Sequence, residues 1–388
     1  MGKDLKGKEL GVGLNQRKDG RYQARFTTKS GKRKEKNFDK ISDARDWLSK
    51  EKYLSGLIHD GMTVDEWYEY WIKNFKNGIV KYNTEKNYRS RYKNNIKDSI
   101  GNMDLIDVKQ IHCQRIINDM FNSGKYSYTT MKLTAITCHA LFKSAVENEY
   151  ILKNPADNLK IKKHEYDNEE RRVLTREEQI IFKEYAKNTM YNNAYCLVLE
   201  TGLRVGEVGG LQWGDIDFKN KLLHVRRTIL QNAKKGGFYY GTPKSKLSKR
   251  NIPLTNEAIN ILNNQKLLQK KLKYNNPKWE DKWNDLVFTT KNGKPVGAST
   301  FRDMIIRIVA NINKDRAINS DGNYEEFKHC YMHSLRHTFA TRCIEKGLKP
   351  KTLQKILGHS TINVTMDLYV HVTDDYMKEE IEKMNVPI

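Results

Sequence analysis

The stretch His333-Ser-Leu-Arg336-His337-Thr opens a short C-terminal window that continues with Leu357-Gly358-His359 and ends at Tyr369. A second arginine, Arg204, stands far upstream in Thr201-Gly-Leu-Arg204-Val-Gly-Glu207. A guanidinium group grips two phosphate oxygens in a fixed fork, and a tyrosine hydroxyl can act as a covalent nucleophile. Together these side chains indicate a site that handles a phosphate group.

The composition favours a nucleic acid as the partner. The chain has 388 residues, of which 38% are hydrophobic and 30% charged, so we expect two or three globular domains. Its formal net charge is +23, from 70 Lys and Arg against 47 Asp and Glu. Such an excess makes a polyanion the first partner to consider. Nucleic acid is favoured over a membrane because no basic amphipathic segment stands alone.

Several classes of protein are disfavoured by what the sequence lacks. The first residues have no apolar core of a signal peptide, and no apolar run approaches the ~18 residues of a membrane span. The five cysteines are scattered and form no Cys-x-x-Cys pair, which argues against a zinc cluster or a disulfide framework. We therefore expect reduced thiols, a cytoplasmic location and no membrane partner.

Residues 1–57 form a strongly basic N-terminal segment that predicts a three-stranded sheet with one helix. The strands are expected at Val12–Gln16, Tyr22–Phe26 and Lys34–Phe38, and Ser42 is expected to cap the helix. One interpretation is a solvated basic module. The alternative is a sheet that lies in a DNA groove, with Arg21 and Arg25 as candidate DNA contacts.

Residues 63–156 predict an all-helical bundle. Thr63-Val-Asp-Glu66 is a capping box, in which the two side chains each satisfy a backbone N–H, and Trp67 and Trp71 follow at helical spacing. The basic stretch 84–92 supplies three candidate DNA contacts, namely Lys86, Arg89 and Arg91. A solvated surface explains each of these cations about as well.

Residues 157–173 are highly charged and predict an exposed interdomain linker, after which Thr175-Arg-Glu-Glu178 opens the last domain, 174–388. This domain is predicted to be mixed α and β with a small antiparallel sheet. Its strands are expected at 222–230, 238–244 and 250–254. Its helices are expected at 176–188, 191–202, 255–273, 299–313, 332–346, 350–357, 361–371 and 374–384.

Each residue of the C-terminal window also has an ordinary structural interpretation. His333 and His337 have the spacing of two zinc ligands, but Ser334 and Arg336 between them disfavour a metal, so no metal site is predicted. His337 fits a core or capping histidine. His359 follows Gly358 at a helix end and fits a C-cap. Tyr369 is one of 21 tyrosines, so only the ordered set makes it a candidate nucleophile.

The ordered set Arg204, lysine, His333-x-x-Arg336, His359 and Tyr369 resembles the tyrosine recombinases, also called phage-type integrases. The motifs that carry the resemblance are Thr-Gly-Leu-Arg-x-Gly-Glu, His-x-Leu-Arg-His-Thr-Phe-Ala and Leu-Gly-His with a tyrosine ten residues later. The basic segment 1–57 is similar to an arm-binding domain, and the bundle 63–156 is similar to a core-binding domain. The resemblance covers essentially the whole chain.

The resemblance implies a role for each residue. Tyr369 would attack a scissile phosphate and form a 3′-phosphotyrosyl bond, leaving a free 5′-hydroxyl. Arg204 and Arg336 would hold the non-bridging oxygens, and His359 would donate a further hydrogen bond. His333 would help to accept the tyrosine proton, since a phenol with a pKa near ~10 is a poor nucleophile at neutral pH. Glu207 would orient Arg204.

The resemblance also implies a lysine that protonates the departing 5′-oxygen. The family places it in a β-hairpin, which fits Thr242-Pro-Lys244-Ser-Lys246-Leu-Ser-Lys249. Lys244 is the first candidate and Lys246 its competitor, while a surface position is the alternative for each lysine in this segment. No metal or other cofactor is implied, because the phosphotyrosyl bond conserves the energy of the broken backbone bond.

The implied partners are double-stranded DNA with core-type and arm-type sites, a homotetramer on that DNA, an excisionase and host DNA-bending proteins. The C-terminal tail, 374–388, is the candidate segment for packing into a neighbouring protomer. Three other functions stay open at this stage: a type IB topoisomerase, a DNA-binding regulator that does not cut and, less favoured, a metal-dependent nuclease. The N-terminal modules favour integration and excision of a mobile element.

Overall fold

The computed structural model describes residues 2–27, 33–56, 61–165, 172–232, 237–241, 249–319 and 324–370. It is mostly helical with small antiparallel sheets, in agreement with the predicted fold class. The chain divides into two compact units, 1–169 and 170–388. The predicted helix 374–384, the tail 374–388, Lys244 and Lys246 lie outside the described residues.

The N-terminal segment folds as a small sheet covered by one helix. Its elements are β1 (Gly2–Lys3), β2 (Glu9–Gly11), β3 (Leu14–Gln16), β4 (Tyr22–Thr27), β5 (Arg33–Phe38) and α1 (Ile41–Gly56). The antiparallel order β3-β4-β5 matches the prediction, and α1 packs on it through Ala44 and Leu48. The separate β1–β2 pair was not predicted.

The predicted cap of α1 is wrong. The helix already begins at Ile41, and the backbone N–H of Ala44 donates to the carbonyl of Lys40. Ser42 therefore lies inside the first turn, where its hydroxyl group donates to the carboxylate of Asp43.

The helical block of the first unit has a core of large aromatic side chains. Its helices are α2 (Val64–Trp71), α3 (Tyr82–Arg91), α4 (Lys97–Ile100), α5 (Gln110–Asn122) and α6 (Tyr128–Glu147). The predicted capping box at Thr63 and Glu66 is present, and Trp67 and Trp71 are fully buried. Single π-helical turns, 72–76 and 92–96, extend α2 and α3. The predicted bundle is thus confirmed at the level of its helices.

The start of the predicted linker lies against the helical block. Leu159 and Ile161 pack on its core, and the Gln114 amide binds both the N–H and the carbonyl of Lys160 at 2.8 Å. The ring of His164 stacks on Phe121 at 4.2 Å. The segment 157–165 is therefore attached to the block, although most of its side chains are exposed.

Over its described residues, the second unit has eight α-helices, two short 3₁₀ turns and five strands around a larger core. The helices are α7 (Arg176–Ala186), α8 (Asn192–Thr201), α9 (Val205–Gly209), α10 (Asn256–Tyr274), α11 (Ala298–Asn319), α12 (Met332–Glu345), α13 (Pro350–Leu357) and α14 (Asn363–Val370), with the 3₁₀ turns at 213–215 and 281–283. The strands are β6 (Ile216–Asp217), β7 (Leu222–Val225), β8 (Thr228–Asn232), β9 (Gly237–Gly241) and β10 (Arg250–Pro253).

The predicted strand 222–230 is wrong in one respect, because it is two strands in two sheets. The antiparallel order is β10-β7-β6 in one sheet, and β8 pairs with β9 in the other. The break falls at Arg226 and Arg227, whose guanidinium groups both contact the buried carboxylate of Asp215. Two cations drawn to one buried carboxylate interrupt the strand between its apolar halves.

Three helices of the second unit, α8, α12 and α13, meet at Gly202. Gly202 ends α8 in the left-handed conformation, with φ of 64°. A Cβ atom there would lie 2.5 Å from the ring of Phe339 on α12 and 2.8 Å from Leu357 on α13. Only glycine combines this backbone conformation with so close an approach.

Within the described part of the chain, no helix is long and apolar enough to cross a membrane.

We predict that Gly202→Ala destabilises the protein by about 2–5 kcal/mol, from ~1–2 kcal/mol for the left-handed backbone and ~1–3 kcal/mol for overpacking. Urea denaturation followed by circular dichroism measures the change. Gly214→Ala is the matched control, because a Cβ atom there meets nothing within 4 Å. Equal losses of stability in the two variants would contradict this account of α8 and α12.

Candidate active site

Arg336 is a buried cation on α12, with 2% of the residue exposed. Its Nη1 donates to the carbonyl of Gly202 at 2.6 Å, and its Nη2 donates to the carbonyl of Leu357 at 2.7 Å. Both acceptors are backbone groups at helix ends, which have no partner within their own helix. Arg336 therefore joins the ends of α8 and α13, and these contacts use two of its five N–H donors.

Arg204 immediately precedes α9 and lies beside the same helix end. Its Nη1 donates to Oε1 of Glu207 at 2.9 Å, and its backbone N–H donates to Oε2 of that carboxylate at 2.9 Å. Its Nη2 donates to the carbonyl of Gly358 at 2.8 Å. The structure thus places Glu207 against Arg204, the residue that it was predicted to orient.

The two arginines converge because they bind successive carbonyls, those of Leu357 and Gly358, at the C-terminal end of α13. A helix C-terminus carries partial negative charge, so cations are stabilised there. Each guanidinium group still has N–H donors beyond these backbone contacts. The arrangement can accept an anion with two or more oxygens.

The net charge of this cluster is positive. Three guanidinium groups, Arg204, Arg250 and Arg336, surround one carboxylate, Glu207. Burial, and then the charges of Arg204 and Arg250, lower the pKa of Arg336 to about 9, so Arg336 remains cationic at neutral pH. Burial alone would raise the pKa of Glu207, but Arg250 and Arg204 more than offset it and the pKa is lowered. The cluster is therefore an ionised site suited to an anion.

His359 follows the left-handed Gly358, whose φ is 64°, directly after the last turn of α13. Its Nδ1 lies 2.9 Å from Oγ1 of Thr365 on α14, and Thr365 is fully buried. Burial, and then the charges of Arg336 and Arg204, lower the pKa of His359 to about 3. The imidazole is therefore neutral at neutral pH and can donate one hydrogen bond.

His333 and His337 lie one turn apart on α12. Their rings meet edge to face, with centroids 5.0 Å apart. His333 is exposed, whereas His337 is half-buried and Arg336 between them points into the core. His333 is thus the member of the pair that a substrate can reach.

Tyr369 lies on α14, and its side chain is outside what the structure describes. The preceding residue, Leu368, is buried in a small cluster with Leu353 and Leu357 of α13 and with Ala340 and Ile344 of α12. The helix that carries Tyr369 therefore docks on the two helices that position Arg336 and His359.

The other predicted contacts are spread over the surface of the first unit. Arg21 is exposed beside Asp19, and Arg25 is exposed on β4 opposite Glu35. On α3, Lys86 and Arg89 are exposed and Arg91 is half-buried. The structure does not gather these five residues into one cluster.

Two residues of the site were missed from the sequence. Thr365 contacts His359, and Arg250 pairs with Glu207. Thr365 lies six residues after His359, so the sequence could have predicted a hydrogen bond between its hydroxyl group and the imidazole. Arg250 carried no local signal, because its partner is 43 residues away in the sequence. Among the described residues, no group of three or more His, Cys, Asp or Glu is placed to hold a metal ion.

The neutral state of His359 predicts how stability depends on pH. The imidazole titrates near 6.5 in the unfolded chain and near 3 in the folded protein, so the unfolded chain binds more protons between these values. The contribution is fully present above pH 6.5 and is lost as the pH falls toward 3. We predict that the stability of the wild type relative to His359→Gln decreases from pH 6.5 to pH 4, as measured by urea denaturation. A constant or increasing difference would contradict the lowered pKa.

Comparison with known proteins identifies the family. Residues 171–375 match the phage integrase family, and residues 63–121 match its N-terminal SAM-like domain. The chain is 30% identical to the transposase from transposon Tn916 of Enterococcus faecalis, over 99% of this chain and 96% of that protein. The structure of the Tn1549 transposon integrase in complex with circular intermediate DNA covers 84% of this chain and 100% of its own, with 28% identity and a TM-score of 0.69.

A structure of lambda integrase, at 20% identity and a TM-score of 0.53, shares the fold over 93% of this chain and 95% of its own. The resemblance predicted from the sequence motifs is thereby confirmed. The chain belongs to the phage integrase family and is a tyrosine site-specific recombinase of a mobile element.

Proposed function

We propose that Tyr369 cleaves one DNA strand by attacking a scissile phosphate, which forms a 3′-phosphotyrosyl bond and releases a 5′-hydroxyl. The observation that supports this proposal most directly is the convergence of Arg204 and Arg336 on successive carbonyls beside His359. The helix that carries Tyr369 docks on the helices that hold these groups.

Arg204 and Arg336 neutralise the charge that develops on the non-bridging oxygens in the transition state. Such groups contribute most when they are fixed before the reaction and shielded from water. Arg336 meets both conditions, because it is buried and tied to two backbone carbonyls. Arg204 is partly exposed, with 32% of its side chain accessible, which leaves a path for the phosphate to reach it.

His359 donates a hydrogen bond to a phosphate oxygen from its neutral imidazole. Thr365 fixes the ring through Nδ1, so the other ring nitrogen is available to the phosphate. His333, exposed on α12, takes the proton of the attacking Tyr369 hydroxyl. Lys244, with Lys246 as the alternative, gives a proton to the departing 5′-oxygen, so that protons and charges balance.

Rejoining reverses these steps. The 5′-hydroxyl of a second duplex attacks the phosphotyrosyl bond, the tyrosine regains its proton, and no ATP or metal is consumed. The substrate is double-stranded DNA, in line with the +23 charge and with the DNA bound to the Tn1549 relative. The reaction takes place in the cytoplasm.

The modules share the recognition of DNA. Residues 1–57 bind arm-type sites through Arg21 and Arg25, and residues 63–156 bind core-type sites through Lys86, Arg89 and Arg91. Residues 157–173 link these modules to the catalytic domain, 174–388. Exchange between two duplexes requires four cut strands and hence four protomers, with the tail 374–388 packing into a neighbour. An excisionase and host DNA-bending proteins regulate the direction.

We predict that Tyr369→Phe binds core-site DNA as the wild type does but forms no covalent adduct. Loss of a nucleophile costs on the order of 10⁴-fold or more in rate. The measurement uses a core site nicked near the exchange point, which traps the adduct, followed by peptide mapping.

Tyr274→Phe is the matched control, because Tyr274 is 91% exposed and belongs to no part of the site. An adduct in Tyr369→Phe would move the nucleophile to another tyrosine, and no adduct in the wild type would favour a regulator that does not cut. Relaxation of supercoiled DNA without joint products would favour a topoisomerase.

A further inference from the structure

Arg250, the first residue of β10, is a buried cation that grips Glu207 with both ends of its guanidinium group. Its Nη1 donates to Oε1 of Glu207 at 2.9 Å, and its Nη2 donates to Oε2 at 2.9 Å. The exposed fractions of the two side chains are 5% and 2%. This is a two-point ion pair away from water, and its geometry is fixed by the planar fork.

The same guanidinium group reaches the helix end beside His359. Its Nε donates to the carbonyl of Ile356 on α13. A Cβ atom on Gly358 would lie 3.0 Å from Cδ and 3.2 Å from Nη1 of Arg250. Arg250 thus fills the space beside the glycine that precedes His359, and it contacts both segments that present groups to the phosphate.

We propose that Arg250 is a positioning residue that sets Arg204 and His359 at the right separation to hold one phosphate. It acts through Glu207 on Arg204 and through the end of α13 on His359. The inference rests on the proposed cleavage by Tyr369.

The charges explain why Arg250 is needed in addition to Glu207. The guanidinium group of Arg204 donates to Oε1 of Glu207, and the backbone N–H of Arg204 donates to Oε2. Arg250 donates to both oxygens at the same time. Without Arg250, Arg204 is the cation among the described residues that still donates to the buried carboxylate. The carboxylate would draw the Arg204 guanidinium into a two-point grip and remove N–H donors from the phosphate. Glu207 would still be paired, so the fold can survive the change.

The test compares Arg250→Met and Arg250→Lys with the wild type in single-turnover cleavage of the nicked core site at saturating DNA. We expect the Met variant to cleave on the order of 100-fold more slowly, the cost of a displacement of about 1 Å in a catalytic group. The Lys variant should recover part of this loss, because it restores the charge but not the fork. The Kd for DNA should change less than about 3-fold in both.

Arg172→Met is the matched control. Arg172 makes a similar two-point pair with Glu178, at 2.9 and 2.5 Å, within the same unit of the chain. Its loss should lower the thermal midpoint and leave the cleavage rate at saturating DNA unchanged. The pKa of His359, followed by NMR, should rise in Arg250→Met, since the charge of Arg250 helps to lower it, and should not move in Arg172→Met.

The outcomes separate the two proposals. If the wild type forms no Tyr369 adduct, the proposed function fails and Arg250 has no cleavage to support. If the wild type cleaves and a folded Arg250→Met cleaves at the same rate, or Arg172→Met slows cleavage equally, the positioning role is overturned. If Arg250→Met does not fold, the Arg250→Lys variant provides the test. Cleavage by Arg250→Lys at the wild-type rate would contradict the need for the two-point guanidinium contact.

Discussion

The carboxylate of Glu207 is the point on which the site depends. It is 2% exposed, and it is stable there only because two guanidinium groups and a backbone N–H compensate its charge. A buried charge without such partners costs several kcal/mol. The arginines in turn are held by the carboxylate and by helix ends, so neither can move far without leaving a buried polar group unsatisfied. The result is a rigid patch with an excess of positive charge.

The position of the two arginines depends on backbone conformation as well as on side chains. The acceptors that hold Arg336 and Arg204 are the carbonyls of Gly202, Leu357 and Gly358, and two of these residues end helices in the left-handed conformation. Glycine at these ends lets the chain turn so that its last carbonyls face the arginines. Each of the motifs Thr-Gly-Leu-Arg and Leu-Gly-His therefore encodes one side chain of the site, Arg204 or His359, and a turn whose carbonyls bind an arginine from another segment.

Local patterns sufficed to predict the helices α12 and α13, the capping boxes at Thr63 and Thr175, and the sheet of the N-terminal segment, because caps and periodicity act over a few residues. The break between β7 and β8 could not be predicted, since it depends on the contacts of Arg226 and Arg227 with Asp215, which form only in the folded chain. The contact of Arg250 with Glu207 could not be predicted for the same reason. Three of the residues that the family motifs name, Arg204, Arg336 and His359, lie together in the structure, whereas the contacts that position them arise only when separate segments meet.

The most direct measurement is a crystal structure of the protein on a nicked core site with vanadate, which mimics the five-coordinate phosphorus between Tyr369 and the 5′-oxygen. We predict that the non-bridging oxygens accept hydrogen bonds from Arg204, Arg336 and His359, with Arg250 still bound to Glu207. Vanadate bound through other side chains, with both arginines remaining only on their backbone carbonyls, would contradict it.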